Sequence, residues 1–307
     1  MIRLSELKLP LSALPVIEQA PADEHGDSRN ASQAPERVHP LSALRELAAL
    51  QLGVPLADIA DLLVFKRSFD ARKADLLAVF IVDLTLRNAS QEATLLQRHA
   101  DHPHVQPTPD MTWQPPLSAP AGWPAAEADR PVVVGLGPCG LFAALALAQM
   151  GFKPIVLERG QPVRQRTKDT WGLWRKHTLT PESNVQFGEG GAGLFSDGKL
   201  YSQIKDPRHL GRKVMQEFVD AGAPPDILYA AHPHVGTFKL VKVVEALRET
   251  ITALGGEIRF GQRVVDVLLD ETERAEHSQK KSVRGLRVQD LATGETTTLA
   301  THTAVLA

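Results

Sequence analysis

Residues 132–158 read VVVGLGPCGLFAALALAQMGFKPIVLE, and they constrain the fold more than any other segment of the chain. A short apolar run leads into three glycines, Gly135, Gly137 and Gly140, which have the spacing Gly-x-Gly-x-x-Gly. An apolar helical pattern follows, and a second apolar run then ends at the acidic residue Glu158. Strand, glycines, helix, strand and acid in this order predict a βαβ unit that binds a dinucleotide.

Each part of this unit has a physical role. Gly135 permits a tight turn out of the strand, Gly137 lets the backbone approach a pyrophosphate, and Gly140 lets the helix pack closely. The helix N-terminus would face the phosphates with its N–H groups and the positive end of its dipole. Glu158 is placed to accept hydrogen bonds from a ribose diol. The alternative is a structural βαβ unit that binds nothing, because glycines also occur in ordinary loops.

Length and charge set broader limits. At 307 residues the chain is long enough for about two domains. Its 34 Lys and Arg against 36 Asp and Glu produce no global field that would favour nucleic acid or an anionic membrane. Cys139 is the only cysteine in the sequence, so an internal disulfide is impossible and a cytoplasmic setting is expected. The N-terminus lacks a signal-peptide layout, and the apolar stretch 141–150 is too short to span a bilayer.

Two polar, proline-rich stretches divide the chain. Residues 18–40 are expected to be a disordered insertion. Residues 101–130 carry repeated prolines, which block helix and sheet alike, and are expected to form a semi-rigid linker. The predicted domains are therefore a small α+β domain at 1–100 and an α/β, Rossmann-like domain at 131–307.

The N-terminal region is expected to form an antiparallel sheet with helices. The expected strands lie at 2–9, 63–69 and 75–86, and the expected helices at 41–52, 55–62 and 91–99. A basic cluster, Lys66, Arg67, Arg72 and Lys73, surrounds one hairpin. We favour a solvated hairpin edge, where basic residues oppose unwanted strand pairing, over a dock for an anionic substrate or partner.

A second glycine-rich segment lies at residues 188–198. Its many unobstructed N–H groups would suit a bound phosphate or a flat ring system, and the alternative is a flexible surface loop. Upstream, after the strand that ends at Glu158, Arg164 and Arg166 either reach phosphate oxygens or are exposed charges. Further along, helices are expected at 169–177, 208–222 and 237–255, strands within 257–269, a hairpin at 283–299, and a strand at 302–307.

Five segments together resemble a known family. Residues 135–141 (GLGPCGL) and 158–160 (ERG) resemble the FAD fingerprint of the flavoproteins with two dinucleotide-binding domains. More narrowly, residues 190–200 (GGAGLFSDGKL), 233–240 (PHVGTFKL) and 66–73 (KRSFDARK) resemble the bacterial, mostly uncharacterised FAD-dependent dehydrogenases.

The resemblance implies bound FAD, a fold like the glutathione-reductase type of FAD domain, and hydride transfer to or from flavin N5. NAD(P)H stays open as electron donor or acceptor, and neither a substrate nor a catalytic acid or base is assigned. Val265 stands where such flavoproteins often place main chain against the adenine, although a plain core valine is as well supported. The candidate cofactor-binding residues are Gly135, Gly137, Pro138, Cys139, Gly140, Glu158, Arg159, Arg166, Gly190, Gly191, Ala192, Gly193, Ser196, Asp197, Gly198, Lys199 and Val265.

In such flavoproteins a strand like 303–307 continues into a turn near the flavin, and a substrate domain follows. The resemblance therefore implies an incomplete FAD domain, from a fragment of a longer protein or a truncated reading frame. The two rival classes are an NAD(P)-binding Rossmann dehydrogenase and a non-catalytic binding module. A zinc site at His232 and His234 has little support, because no further ligand stands at the usual spacing. Cys139 is expected to have a packing or backbone role.

Overall fold

The computed structural model describes residues 1–15, 39–196, 198–202, 204–271 and 281–307, without the side chains at 271 and 281. It divides into two compact units. The first unit comprises Met1–Met111 and Leu228–Pro233, and the second comprises Thr112–Ile227 and His234–Ala307. Most of the insertion expected at 18–40 lies outside the described residues, as does the candidate Asp197.

The first unit contains four strands and two helices among its described residues. They are β1 (Ile2–Pro10), α1 (Leu41–Leu52), β2 (Ile59–Asp70), β3 (Leu77–Leu86), α2 (Ala89–Arg98) and β4 (Val105–Pro107). The sheet order is β2-β3-β1-β4, and every neighbouring pair is antiparallel. This βαββαβ order is the split βαβ, or ferredoxin-like, topology. The first unit thus combines an antiparallel sheet with two α-helices among its described residues.

The helix predicted at 41–52 has the expected bounds, and Gly53 ends it in the left-handed conformation with φ 65°. The helix predicted at 55–62 is wrong. Only a 3-10 turn, Leu56–Asp58, follows Pro55, and β2 begins at Ile59. Ile59, Leu62 and Val64 are buried along the start of this strand, with a register shift between Ile59 and Asp61, and packing in the sheet outweighs the weak helical pattern.

One hydrophobic core holds the first unit together. The inner face of the sheet contributes Leu4, Phe80 and Leu84, and helix α1 contributes Leu44 and Leu52. All five side chains are almost fully buried. Burying each such side chain contributes roughly 1.5–3 kcal/mol, which is enough to fix which face of the sheet the helices cover.

The second unit combines a parallel sheet, an antiparallel sheet and four helices. The strands are β5 (Val132–Val134), β6 (Ile155–Glu158), β7 (Glu257–Phe260), β8 (Gln262–Glu271), β9 (Lys281–Asp290), β10 (Thr296–Ala300) and β11 (Ala304–Leu306). The helices are α3 (Pro138–Gln149), α4 (Val163–Lys176), α5 (Leu210–Asp220) and α6 (Thr237–Ala253). The parallel sheet has the order β11-β5-β6-β7, and the antiparallel sheet has the order β10-β9-β8. The chain is thus a mixed α/β protein.

The strands expected within 257–269 are two strands of different sheets. Gly261, with φ 68°, turns the chain between β7 of the parallel sheet and β8 of the antiparallel sheet. The expected hairpin at 283–299 is confirmed as β9 and β10, and its turn contains Gly294 in a left-handed conformation. Helix α4 begins at Val163 rather than near residue 169.

The linker expected at 101–130 is instead divided between the two units. Within it, β4 pairs with β1 of the first sheet. Further on, Trp123 Nε1 donates a hydrogen bond to the Phe152 carbonyl at 2.9 Å, and Ala119 N donates to the Met150 carbonyl at 2.8 Å. Proline removes its own N–H but leaves those of its neighbours, so a proline-rich segment can still be fixed along a folded unit.

Candidate functional site

A cavity of about 380 Å³ lies at the carboxyl ends of β5 and β6 in the second unit. Its walls come from the β5–α3 turn, the end of β6, the glycine-rich loop and the start of β8. Ligands of parallel α/β sheets bind outside the carboxyl ends of the strands. This cavity is therefore the candidate site, and it coincides with the turn that the glycine spacing predicts.

The three glycines of the turn differ in what the fold requires of them. Gly135 has φ 98°, and a Cβ there would lie 2.6 Å from the Ala307 carbonyl oxygen. A Cβ at Gly140 would lie 2.0 Å from the Gly135 carbonyl oxygen. Gly137 has φ −72°, which any residue can adopt, and a Cβ there would meet only the Gly191 Cα at 3.9 Å. Folding explains the first and third glycines but not Gly137, which lines the cavity.

Helix α3 begins beside this glycine. Gly137 is its N-cap, and no side chain caps the helix. Pro138 occupies the first turn, where a missing N–H costs nothing. Cys139 is exposed, so the packing role expected for it is wrong, and the backbone role that was the other expectation stays a prediction. The helix thus presents an uncapped, partly positive end at the turn that lines the cavity.

Glu158 is buried at the end of β6, and it lines the cavity. One carboxylate oxygen accepts a hydrogen bond from Leu136 N at 2.7 Å, and the other accepts one from Gly160 N at 2.7 Å. The carboxylate therefore holds the glycine turn against the strand end. Because each oxygen has a second lone pair, this role is compatible with the ribose contact that the sequence predicts.

The glycine-rich loop packs directly on the turn. Gly190 N donates to the Leu136 carbonyl at 2.8 Å, and a Cβ at Gly191 would lie 2.7 Å from Pro138 Cδ. Gly188, Gly190 and Gly191 all have positive φ and are buried. The alternative of a flexible surface loop is therefore wrong for residues 188–191.

Only part of this loop reaches the cavity. Among the described residues, Gly188 and Gly191 line it, whereas the remaining loop candidates do not. Those candidates are Gly190, Ala192, Gly193, Ser196, Gly198 and Lys199. Ala192, Ser196 and Lys199 are exposed on a 3-10 turn and the segment that follows it. Gly190 instead makes room for Leu194, because a Cβ there would lie 2.1 Å from Leu194 Cδ1.

Arg166 joins the glycine-rich loop to the residues just before it by hydrogen bonds. Its side chain is fully buried and donates hydrogen bonds of 2.7–2.8 Å to four backbone carbonyls. The acceptors are the carbonyls of Asn184, Val185, Glu189 and Gly191. Burial lowers the pKa of its guanidinium to about 10. Both expectations for Arg166, a phosphate contact or an exposed charge, are wrong because the loop carbonyls surround it. Arg164 does lie exposed, paired with Glu245 at 2.6 Å.

Glu189, which stands among the loop glycines, is a site residue that was not predicted from the sequence. Its side chain is buried, and its Oε2 accepts hydrogen bonds from Val163 N at 2.7 Å and Arg248 Nη1 at 2.8 Å. Burial raises the pKa of this carboxyl. The sequence did contain one indication of this role, an acidic residue inside a run of glycines. A charged side chain that is buried there needs a partner.

Three charged side chains meet at the rim of the cavity. Arg159 and Arg263 line it, and both bind Glu182. Arg159 Nε lies 2.6 Å from Glu182 Oε2, and Arg263 Nη1 lies 2.9 Å from Glu182 Oε1. The Arg159 guanidinium also stacks 4.0 Å from the centre of the Phe187 ring. Glu182 and Arg263 are far apart in the sequence and belong to no motif, so no sequence pattern indicates that their side chains meet.

Val265 does not line the cavity and is not buried, so neither expectation for it, main chain against the adenine or a core valine, agrees with the structure. Its side chain is 47% exposed, and the cavity is lined by Gln262, Arg263 and Val264 instead. The pairing of β8 with β9 is irregular between Val264 and Asp266. A bulge at this point shifts which residue faces inward, and alternation along the strand cannot reveal it.

The basic cluster of the first unit lies along the edge strand β2 and the turn that follows it. Arg72 pairs with Asp70 at 2.7 Å, and this ion pair lowers the pKa of the Asp70 carboxyl. Arg67 N donates to the Tyr229 carbonyl at 2.7 Å, so a short stretch within Leu228–Pro233 covers part of the edge. The cluster thus lies on an edge strand that is paired at Arg67, and its role as a guard against strand pairing stays a prediction.

No group of three or more His, Cys, Asp or Glu side chains among the described residues is arranged to hold a metal ion. In the same part of the chain, every helix is too short or too polar to cross a bilayer.

Comparison with known proteins gives three kinds of similarity. A family model for a domain of unknown function, DUF8436, matches residues 29–85. An uncharacterized protein of Clostridium beijerinckii (strain ATCC 51743 / NCIMB 8052) is 43% identical over 228 residues, which are 73% of this chain and 40% of that protein. The chain therefore spans about two fifths of the length of this curated relative.

Two solved structures are similar at low overall agreement. THI4 of Thermovibrio ammonificans aligns with a TM-score of 0.38 and 17% identity, over 59% of this chain and 57% of that chain. A flavocytochrome c3 fumarate reductase in its open conformation aligns with a TM-score of 0.38 and 18% identity, over 59% of this chain and 33% of that chain.

Proposed function

We propose that the second unit binds FAD and belongs to a flavin-dependent oxidoreductase. The observation that carries the proposal is Gly137. It lines the cavity at the start of helix α3, and neither its backbone conformation nor its neighbours require a glycine. A site for a close-lying pyrophosphate explains this glycine, because the ligand needs the volume that a Cβ would fill.

The residues around the cavity fit the adenosine diphosphate half of FAD. The uncapped N-terminus of α3 would face the pyrophosphate, with Gly137 and Gly191 supplying unobstructed backbone. The Glu158 carboxylate would accept a hydrogen bond from a ribose hydroxyl. The Arg263 Nε is buried and has no hydrogen-bond partner among the described residues, so it is a donor that a ligand could satisfy.

When bound, the flavin supplies two-electron transfer chemistry, and the protein supplies binding, orientation and tuning. Glu158 fixes the turn by two backbone hydrogen bonds, and Arg166 donates two to the glycine-rich loop and two to the carbonyls of Asn184 and Val185 just before it. These two side chains thereby pre-organise the backbone that would hold the pyrophosphate. Pro138 in the glycine turn, the Glu158-Arg159 pair and the glycine-rich loop at 188–198 resemble FAD-dependent flavoproteins, and they support FAD over a nicotinamide dinucleotide.

The experiment compares FAD binding by the 307-residue chain with binding by Gly137→Ala, followed by flavin fluorescence. The matched control is Gly172→Ala on helix α4, where a Cβ would meet only the Thr178 carbonyl oxygen at 3.9 Å. We expect Gly137→Ala to keep the parental circular dichroism and melting temperature but to weaken FAD binding by about tenfold or more, or about 1.4 kcal/mol. The control should bind as the parent does.

Equal FAD affinity in the parent and Gly137→Ala would overturn the assignment of this site. A parent chain that ignores FAD but binds NAD or NADP would replace FAD with a nicotinamide cofactor. A parent chain that binds neither would favour the non-catalytic alternative.

A further inference from the structure

We propose that Glu182 makes this cavity select an adenosine diphosphate whose ribose carries a free 2′-hydroxyl. It does so by holding two arginines that would otherwise receive a 2′-phosphate. This inference rests on the proposed dinucleotide function and names what the same site excludes.

The two arginines are placed for such a phosphate. Arg159 directly follows the proposed ribose acceptor Glu158, and Arg263, at the start of β8, lines the same cavity. In dinucleotide sites an acid at this position accepts the ribose 2′-hydroxyl, whereas a nearby arginine accommodates a 2′-phosphate. The cavity therefore contains the side chains for either ribose, and their pairing decides between them.

Glu182 forms ion pairs with both guanidinium groups. Each of its carboxylate oxygens accepts from a different arginine, at 2.6 Å from Arg159 and 2.9 Å from Arg263. Arg263 Nη2 also donates to Gln289 Oε1 at 2.6 Å, and the face of Arg159 stacks on Phe187. A phosphate could reach Arg159 Nε and Nη2 and Arg263 Nη1 only by displacing the Glu182 carboxylate, which leaves Arg263 Nε as the buried donor of this pair that has no partner among the described residues.

Charge acts in the same direction. Two guanidinium groups and the carboxylates of Glu158 and Glu182 leave this end of the cavity with no net charge. A 2′-phosphate carries close to two negative charges and would lie against the Glu158 carboxylate, which is buried and held by two backbone N–H groups. Repulsion of the wrong ligand is an effective source of specificity, and here Glu182 removes the attraction that would offset it.

We expect a gain in affinity for a 2′-phosphorylated ligand when Glu182 is replaced. The probes are ADP-ribose and 2′-phospho-ADP-ribose, which differ only by the 2′-phosphate, and their dissociation constants are measured by calorimetry. We expect the parent chain to prefer ADP-ribose by about tenfold or more. In Glu182→Ala the preference should shrink by about tenfold or invert, because 2′-phospho-ADP-ribose gains affinity.

Three further variants locate the effect. Glu245→Ala removes an exposed ion pair with Arg164 away from the cavity and should leave the preference unchanged. Adding Arg159→Ala to Glu182→Ala should abolish the gain. Glu182→Gln keeps the shape of the side chain without its charge, and it should show the same direction of change if the alanine variant folds poorly.

The outcomes separate the inference from the proposed function. A parent chain that binds neither probe contradicts the dinucleotide site itself. A parent that binds ADP-ribose, with an unchanged preference in both Glu182 variants, leaves the site standing and overturns the role of Glu182. A parent that prefers 2′-phospho-ADP-ribose also overturns it.

Discussion

At the scale of single residues, Arg166 is a buried charge whose hydrogen bonds all go to backbone carbonyls. Its guanidinium donates to four backbone carbonyls. Those of Glu189 and Gly191 flank Gly190 in the glycine-rich loop, and the other two lie just before that loop. Carbonyl groups that converge on a cation are fixed in direction. Arg166 therefore shapes the loop that faces the cavity, although the side chain itself does not line it.

We expect Arg166→Lys to lower the free energy of unfolding by about 2–4 kcal/mol. A lysine keeps the charge but cannot reach all four carbonyls, so buried acceptors lose their donors. The control is Arg164→Lys, whose exposed ion pair should change stability by less than about 1 kcal/mol. Urea denaturation of both variants measures the difference, and equal midpoints would contradict the role given to Arg166.

His39 gives the first unit a pH dependence. Its side chain is buried against Tyr229, and its Nδ1 has no hydrogen-bond partner among the described residues. Burial, with a smaller contribution from the Arg67 charge, lowers the pKa of His39 from 6.5 to about 4. The folded chain therefore keeps His39 neutral at a pH where the unfolded chain has already bound a proton.

Stability should consequently fall as the pH drops from about 6.5 towards 4, by on the order of 2–3 kcal/mol for this group. We expect His39→Phe to flatten that part of the profile, because the phenylalanine binds no proton in either state. Urea midpoints between pH 4 and 7 measure the effect, with the exposed His302→Gln as control. A His39→Phe profile as steep as that of the parent would contradict the assigned pKa.

At the scale of elements, periodic segments were predictable and irregular ones were not. The helix at 41–52 follows from its apolar spacing and the glycine after it, and the glycine turn follows from its fixed spacing. The helix predicted at 55–62 is wrong because strand pairing outweighed the local helical preference. Val265 failed because a bulge moved the inward position to Val264.

The proline-rich segment shows the same limit, because its attachment depends on a contact distant in sequence. The Trp123 indole N–H donates to the Phe152 carbonyl, and the two rings meet edge to face at 5.4 Å. We expect Trp123→Phe to keep the ring contact, to cost about 1 kcal/mol, and to increase proteolysis within 112–130. Trp171→Phe, at an exposed position, is the control. Unchanged proteolysis in Trp123→Phe would contradict a fixed segment.

At the scale of the whole molecule, the sequence predicted the order of the two folded units and the position of the cavity. It did not predict that Leu228–Pro233 joins the first unit, nor that Glu182 bridges two arginines. Both depend on segments that come together only in the folded chain. The glycine turn was predictable because its requirements are local, whereas charge pairing across the cavity is not.

Hydrogen–deuterium exchange with and without FAD tests the central claim most directly, because it locates binding along the chain. We predict slower exchange on adding FAD at residues 135–141, 158–160, 186–191 and 262–264, which together surround the cavity. Gly137→Ala should remove this protection while leaving exchange in the first unit as in the parent. Protection at other segments, or none at these four, would contradict the account.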